Sequence, residues 1–135
     1  MHGFGVAGVA LKAILYSVRV LDASGSGYMS DVAKGIVEAV KGPDDTPGTD
    51  DDADVISMSL GGPDSQVLYH AVLYAYSYNV TLVAAAGNED APTPSCPACY
   101  NEVIAVGAVD QDLNVPSWSN RNPDVVAPEV DILSA

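Results

Sequence analysis

The sequence predicts an α/β fold with a parallel β-sheet and crossover helices. Short apolar runs rich in β-forming residues alternate with longer segments whose apolar residues recur at helical spacing. The resulting order of strand, helix, strand, helix and strand is typical of a parallel sheet. Turn residues follow two of the strands, at Gly61-Gly62-Pro63 and Gly87-Asn88. With 135 residues, the chain can form one domain or part of one.

The first half of the chain predicts a strand, a helix and an inserted loop. Leu15 to Leu21 (LYSVRVL) alternates and is rich in β-formers, so we expect a strand there. Ser30 is expected to cap a helix over Asp31–Lys41 that has one apolar stripe. The stripe comprises Val32, Ile36, Val37 and Val40. Gly42 to Asp52 contains two prolines and five aspartates; it is long for a connection and indicates an acidic insertion.

The second half predicts one helix and four strands. The helix extends from about Ser65 to Tyr78, and His70 is expected at its surface. Its buried stripe is expected to comprise Leu68, Ala71, Val72 and Ala75, and its outer side also carries Tyr69 and Tyr76. The expected strands are Asp54–Leu60, Val80–Ala85, Val103–Val109 and a short one at Asp124–Ala127.

This order of elements predicts a sheet with one bare face. Crossovers are right-handed, so two successive ones winding the same way place both helices on the same face. Parallel sheets normally have both faces covered. We therefore expect missing domain segments over the bare face, self-association or poor solubility.

Composition narrows the class of partner. Eighteen acidic residues against five basic ones give a net charge of −13, which disfavours nucleic acid and anionic membranes as partners. The balance suits a salt-adapted protein, an acidic secreted protein or one that binds cations. No apolar run approaches the length of a transmembrane helix. Met1 leads directly into His2-Gly3, so we expect no signal peptide in this chain.

Two short motifs have unremarkable interpretations. Cys96 and Cys99 form a C-x-x-C pair, which can be redox-active or half of a zinc site. No second pair exists and both histidines are distant in sequence, so we expect two free or mutually bonded loop cysteines. Gly3 to Gly8 fits the G-x-G-x-x-G pattern of a dinucleotide site. Such a site needs a strand before the glycines and several helical turns after them, and this sequence has room for neither.

The stretch Val80 to Glu89 (VTLVAAAGNE) indicates a ligand site. Its apolar run predicts a buried strand, and the alanines at its end leave a shallow wall against which another backbone could lie. Gly87 and Asn88 follow, so the Asn88 carboxamide is expected at the carboxyl end of a parallel strand, where α/β sheets bind ligands. An N–H donor held there in advance can stabilise a developing oxyanion.

Five segments occur in the order and at nearly the spacing of one known protein family. They are GVAGVALKAILYSVRVLDASGSG, DVISMSLGGP, VTLVAAAGNE, EVIAVGAVD and VVAPEVDILS. Over essentially its whole length the chain thereby resembles the subtilisin-like serine proteases, or subtilases. The resemblance implies a peptide-cleaving enzyme with an Asp-His-Ser triad, a peptide or protein substrate and bound calcium. It also implies secretion, usually as a precursor with a propeptide.

The resemblance assigns site residues in the middle of the chain. Asn88 matches the family's oxyanion-hole asparagine, and Met29 would line a more distant apolar subsite. Two segments match the walls of the pocket for the residue before the scissile bond, and a third matches the edge strand that pairs with substrate backbone. The walls are Ser59-Leu60-Gly61 and Ala85-Ala86-Gly87, and the edge is Gly25-Ser26-Gly27.

The loop from Cys96 to Tyr100 matches a family loop that often holds a weaker cation. The backbone carbonyls of Ala98, Tyr100 and Val103 are therefore candidate ligands. By the same resemblance, Pro97 is expected to be a cis-proline.

His2 has two interpretations. His2 to Gly8 agrees at five of seven positions with the family's H-G-T-H-V-A-G motif, which would make His2 the general base. A gapless register instead aligns GFGVAGVAL with a calcium-loop segment, and we favour it. The carbonyls of Phe4 and Val6 then become candidate calcium ligands. His2 would occupy a position where an oxygen ligand is expected, which would weaken that site.

The resemblance leaves two triad members unassigned. The nucleophilic serine should follow the APEVDILSA tail, and the triad aspartate should precede residue 1. Ser134 belongs to the loop before the nucleophile, and Glu129 replaces a usual glycine. We therefore expect a partial peptidase domain over residues 1–135 with little or no triad-dependent proteolysis. The alternative is a non-catalytic peptide-binding module of the same ancestry.

Overall fold

The computed structural model describes Ala10, residues 12–130 and Ile132. Two helices and four strands form in these residues. In chain order they are α1 (Met29–Lys41), β1 (Val55–Met58), α2 (Gln66–Ser77), β2 (Thr81–Ala85), β3 (Val103–Val109) and β4 (Val125–Pro128).

The four strands form one parallel sheet in the order β1-β2-β3-β4. Ile56 pairs with Leu82, and Leu82 pairs with Val103, so these apolar side chains lie in one row across the sheet. Side chains in register share a face, and the next residue along each strand points to the opposite face. The predicted α/β fold with a parallel sheet and helices is therefore confirmed.

Both helices cover the face that carries Leu82. Helix α1 packs against α2, and the two helices share one hydrophobic core with alternate residues of β1, β2 and β3. The predicted stripe of α2 is buried in full: Leu68, Ala71, Val72 and Ala75. In α1, three of the four predicted stripe residues are buried, and Val37 is partly buried against the same core. The helical periodicity in the sequence therefore identified the faces that make the core.

The opposite face of the sheet is largely open in the part of the chain that the structure describes. Val55 is 56% exposed and Ile104 is 40% exposed, while Val83 and Val106 are only half-buried. These side chains alternate with those that contact the helices. The placement of both helices on one face agrees with the prediction from crossover handedness.

The strand predicted over Leu15–Leu21 is wrong. These residues pair with none of the four strands, and Leu15 is 92% exposed. The chain instead passes beside α1, where a Cβ added at Gly35 would come within 3.2 Å of the Val18 side chain. The alternation in Leu15–Leu21 therefore arises because one apolar side of the segment packs against a helix. Such packing gives the same sequence pattern as a strand with one side buried in a sheet.

Several element ends also differ from the prediction. Helix α1 begins at Met29, so Ser30 is in its first turn and is not its cap. The Tyr28 carbonyl accepts the N–H groups of Asp31 and Val32 at 2.9 and 3.2 Å, which makes Tyr28 the N-cap residue. Strand β1 ends at Met58 rather than Leu60, since the following residues leave the sheet for a separate bridge between Gly62 and Cys96.

Neighbouring residues of α2 provide a direct test of this packing. Leu68 is 0% exposed and Val67 is 52% exposed. We expect Leu68→Ala to lower the free energy of unfolding by about 2–5 kcal/mol, because it leaves a cavity between the helices and the sheet. Val67→Ala should change it by no more than about 0.5 kcal/mol. Urea denaturation measures both, and equal effects would contradict the assigned core face.

Candidate functional site

The candidate site lies at the carboxyl edge of the sheet. Because β1 and β2 are parallel neighbours, the segments that follow them emerge side by side. Ser59-Leu60-Gly61 follows β1, and Ala86-Gly87-Asn88 follows β2. Asn88 is exposed, and among the described residues no side chain or backbone group hydrogen-bonds to its carboxamide. The structure thus brings the predicted wall segments and Asn88 to one edge.

The turn after β2 requires glycine. The Ala86 N–H still donates to the Val106 carbonyl at 2.8 Å, and the chain then turns at Gly87 with φ +106°. This backbone conformation favours glycine. An added Cβ at Gly87 would also contact the Asn120 amide nitrogen, and it would lie 2.9 Å from Ser95 Oγ. Asn88 therefore directly follows a glycine that neighbouring side chains enclose tightly.

Glu89 closes the same turn with its side chain. Its Oε2 accepts the Asn88 backbone N–H at 3.0 Å and the Ser95 hydroxyl at 3.2 Å. The Asn88 backbone donor is thus already used, and its side-chain carboxamide is the group that faces solvent. A single donor presented in this way suits the stabilisation of one oxygen atom.

The two walls are tied together through Ser95 and Cys96. Gly62 and Cys96 exchange backbone hydrogen bonds of 2.9 and 3.0 Å, and the Ser95 N–H donates to the Ala86 carbonyl at 2.8 Å. A Cβ added at Gly61 would lie 3.1 Å from the Ser95 Cβ. The segment after β1 and the segment after β2 are therefore held at a defined separation by a third strand-like piece.

Met29 and the glycine-containing loop lie on the β1 side. A Cβ added at Gly62 would contact the Met29 side chain, so the start of α1 reaches this wall. The predicted substrate-pairing edge at Gly25-Ser26-Gly27 is in none of the strands. It follows a turn in which the Gly25 N–H donates to the Asp22 carbonyl at 3.1 Å and Gly25 has φ +77°. The proposed contact with substrate at these residues stays a prediction.

Asp22 organises that turn. Its Oδ1 accepts the Ser24 hydroxyl at 2.6 Å and the Ser24 and Ser26 N–H groups at 2.8 and 3.0 Å. The Ser24 hydroxyl, followed by the two N–H groups, lowers the pKa of the Asp22 carboxyl below its ordinary value of 3.8. The turn is therefore built around a carboxylate in its charged form.

The loop from Cys96 to Tyr100 is held at both ends. Cys96 and Cys99 form a disulfide, and the Cys96–Pro97 peptide is cis, as predicted for Pro97. The Tyr100 hydroxyl donates to Asp64 Oδ1 at 2.8 Å and accepts the Ser65 N–H at 3.2 Å at the start of α2. Burial raises the pKa of the Tyr100 phenol. The loop thus connects the site edge to α2.

The predicted cation ligands fall in two places. Ala98 and Val103 are buried beside the disulfide loop, and the Tyr100 carbonyl accepts the Val103 N–H at 3.0 Å. Their role stays a prediction. Phe4, Val6 and His2 lie outside the described residues, as does Ser134. Glu129 is exposed and its N–H donates to the Val109 carbonyl at 3.1 Å.

Carboxylates gather elsewhere, in the inserted loop. Oxygens of Asp44, Asp51 and Asp52 lie within 4.8 Å of one another. All three carboxylates accept backbone N–H groups of the same loop: Asp51 from Asp44 at 3.2 Å, Asp44 from Thr46 at 2.8 Å and Asp52 from Thr49 at 3.1 Å. They therefore stabilise the loop in which they occur. His70 is exposed on α2, as predicted.

Asn120 is the site residue that sequence reasoning missed. It is 0% exposed and hydrogen-bonds to the turn that carries Asn88. The sequence around it, WSNRN, contains only polar neighbours after Trp118 and carries no pattern that predicts burial. Its burial could not be predicted, because it depends on the pairing of β3 with β2 and β4, which brings Asn120 next to the turn after β2.

Comparisons with known proteins agree with the resemblance. A family model described as the subtilase family matches residues 1–133. The chain is 44% identical over 133 residues to a thermophilic serine proteinase of Bacillus sp. (strain AK1), covering 96% of this chain and 31% of that protein. It is 44% identical over 127 residues to thermitase of Thermoactinomyces vulgaris, covering 92% of this chain and 42% of that protein.

A third relative is named an intracellular protease. An intracellular serine protease of Paenibacillus polymyxa is 42% identical over 138 residues, which cover 96% of this chain and 40% of that protein. The chain thus spans less than half the length of each of these relatives. Within the described residues, neither helix is long and apolar enough to cross a membrane.

Two glycines with similar backbone angles test the enclosed turn. Gly48 has φ +88° and nothing lies within 4 Å of an added Cβ, whereas Gly87 has φ +106° and three side chains around it. We expect Gly87→Ala to cost about 1–3 kcal/mol more unfolding free energy than Gly48→Ala, because only Gly87 adds a clash to the backbone strain. Thermal unfolding compares them, and equal losses would contradict the enclosure.

Acidification tests the role of the Asp22 carboxylate. Because the folded-state pKa of Asp22 is lowered, its stabilisation of the turn is present above pH 3.8 and is lost as pH falls through the folded value. The amide NMR signals of Ser24 and Ser26 should therefore shift together in a transition below pH 3.8. In Asp22→Asn that transition should vanish; if it persists, another group orders the turn.

Proposed function

Because this chain belongs to the subtilase family, we propose that it forms the substrate-binding and oxyanion half of a serine endopeptidase domain. The observation that carries the proposal is the exposed Asn88 carboxamide after β2, at the edge shared with Ser59-Leu60-Gly61. The names of the relatives, which are serine proteases, support the reaction class.

In this proposal the substrate lies along the carboxyl edge as an extended peptide. The side chain before the scissile bond enters between Ser59-Leu60-Gly61 and Ala85-Ala86-Gly87. The short side chains of the second wall leave room there, and the backbone hydrogen bonds of Ser95 and its neighbour Cys96 hold the two walls at a fixed separation. Gly25-Ser26-Gly27 contacts substrate backbone, and Met29 contacts a more distant apolar side chain.

The proposed role of Asn88 is to stabilise the negative charge that develops on the substrate, and not to activate the nucleophile. In acyl transfer a serine attacks the peptide carbonyl while a histidine takes its proton, and the carbonyl oxygen becomes an oxyanion. The Asn88 carboxamide donates a hydrogen bond to that oxygen. The backbone of the turn that carries it is held before the charge develops, and donors positioned in advance are the effective ones.

The chain by itself is proposed to bind peptides with little or no cleavage. Neither a nucleophilic serine nor a triad aspartate is assigned within residues 1–135. His2 is the one candidate general base, and the competing register gives it no catalytic role. A peptide-binding module without catalysis is therefore the second candidate function.

Calcium and secretion belong to the same proposal. Carbonyl oxygens suit hard cations, so those of Ala98, Tyr100 and Val103 would hold a cation that supports the disulfide loop.

The proposal of secretion is based on the family resemblance alone. One relative is named an intracellular protease, so membership of the family does not by itself imply secretion. Missing segments or a second copy over the open sheet face are proposed partners, and the exposure of Val55 and Ile104 supports this.

The purified chain can separate the two candidate functions. We expect the chain to show no hydrolysis of a fluorogenic peptide that is sensitive to a serine-directed inhibitor. We also expect calorimetry to detect binding of an uncleavable peptide inhibitor. Inhibitor-sensitive hydrolysis would show that this chain is itself an endopeptidase. A lack of binding would contradict both candidates.

A wall variant tests where the peptide binds. Leu60→Ala removes an apolar wall side chain and should weaken peptide binding about tenfold, which corresponds to about 1.4 kcal/mol. Leu113→Ala is the matched control, because Leu113 is exposed in the turn after β3. Equal affinities of the two variants, with both folded, would exclude the proposed pocket.

A further inference from the structure

Asn120 is a buried polar side chain whose surroundings account for each of its polar atoms. Burying a carboxamide is unfavourable unless its donors and acceptors are paired. Asn120 is 0% exposed, lies between β3 and β4 in sequence, and contacts the turn after β2. Two parts of the chain that are far apart in sequence, residues 86–95 and the segment that carries Asn120, therefore meet at this one residue.

The two ends of the carboxamide bind opposite kinds of partner. Oδ1 accepts the backbone N–H groups of Glu89 and Ala91 at 3.0 and 2.9 Å. Nδ2 lies within hydrogen-bonding distance of three acceptors, the Ala86 carbonyl at 2.9 Å, Glu89 Oε2 at 2.8 Å and Ser95 Oγ at 3.2 Å, and its two N–H groups are shared among them. Acceptor and donor capacity are both used, which only an uncharged amide of this length can do here.

Backbone contacts continue the connection on both sides of Asn88. The Asn120 N–H donates to the Gly87 carbonyl at 3.0 Å, and the side chain binds the Glu89 N–H. Further along, the Arg121 N–H donates to the Ala91 carbonyl at 2.9 Å. The residue before Asn88 and the residue after it are thus both held by Asn120.

Substitutions at this position should have distinct effects. Alanine would leave the Glu89 and Ala91 N–H groups without their acceptor, which destabilises the turn. Aspartate would keep the shape but place a negative charge beside the Glu89 carboxylate and the Ala86 carbonyl. Like charges raise a carboxyl pKa, so acidification would neutralise this repulsion.

We propose that Asn120 is a positioning residue that holds the Asn88 turn, and with it the proposed oxyanion donor, in place. The proposal rests on the proposed function for its catalytic meaning. Asn120 does not face the groove, so it acts through the turn and does not touch substrate. Its hydrogen bond to Ser95 extends the effect to the pocket walls. Preorganised donors lose effectiveness when their support becomes mobile.

Hydrogen exchange of the full chain tests the local part of the proposal. In Asn120→Ala, the amides of Glu89 and Ala91 should exchange at least about tenfold faster, as expected for loss of a hydrogen bond worth more than 1.4 kcal/mol. The Ala105 amide, which donates to Asp124 Oδ2 at 2.8 Å, should keep its protection. The NMR signal of the Asn88 carboxamide should change as well. Asn114→Ala, in an exposed turn, is the matched control and should alter none of these signals.

The aspartate variant separates positioning from a general loss of structure. Asn120→Asp should show fast exchange at Glu89 and Ala91 near neutral pH and regain protection on acidification. Unchanged exchange at both amides in Asn120→Ala would overturn the proposal. Global loss of protection in both variants, without recovery on acidification, would also overturn it, because that indicates a purely structural role.

Binding of the uncleavable peptide inhibitor distinguishes this proposal from the proposed function. If the wild-type chain binds and Asn120→Ala binds about tenfold more weakly, both are supported. If both bind equally, the positioning of the site by Asn120 is wrong although the function stands. If the wild-type chain binds no peptide while the local exchange effect is present, Asn120 still holds the turn and the proposed function is wrong.

Discussion

The parallel pairing of β1 with β2 is the constraint on which the rest of the structure depends. It places the segments that leave both strands at one edge, so two parts of the chain 27 residues apart in sequence become neighbours. The pairing is maintained by burial of one sheet face, where Leu82 shares a core with Leu68 and Val72 of α2. Apolar burial is thus concentrated on one face, and the polar edge is fixed as a consequence.

At that edge, hydrogen bonds take over from apolar packing. Ser95 binds the Ala86 carbonyl and Cys96 pairs with Gly62, which joins the two walls, and Asn120 also binds the Ala86 carbonyl. Most of these partners are backbone groups, whose positions depend on the sheet and less on side-chain identity. A groove built in this way can keep its shape while its exposed side chains, such as Asn88, remain available to a ligand.

The disulfide loop extends the same arrangement to the helix layer. Cys96 pairs with Gly62 at the wall, and four residues later Tyr100 binds the start of α2 through its hydroxyl. A short, cross-linked segment therefore connects the start of α2 to the wall. By contrast, the inserted acidic loop satisfies its own backbone donors with its own carboxylates. Its charge adds to the net charge of −13 without contributing to the groove.

The sequence by itself determined the fold class and the buried stripe of α2, because periodicity is a local property. Only the tertiary structure decided that Leu15–Leu21 stays out of the sheet and that Asn120 is buried. An alternating segment fits a helix surface as well as a sheet, so its partner cannot be read from its own residues. The burial of Asn120 depends on donors and acceptors that come from residues 86–95, and no local pattern brings those groups to it.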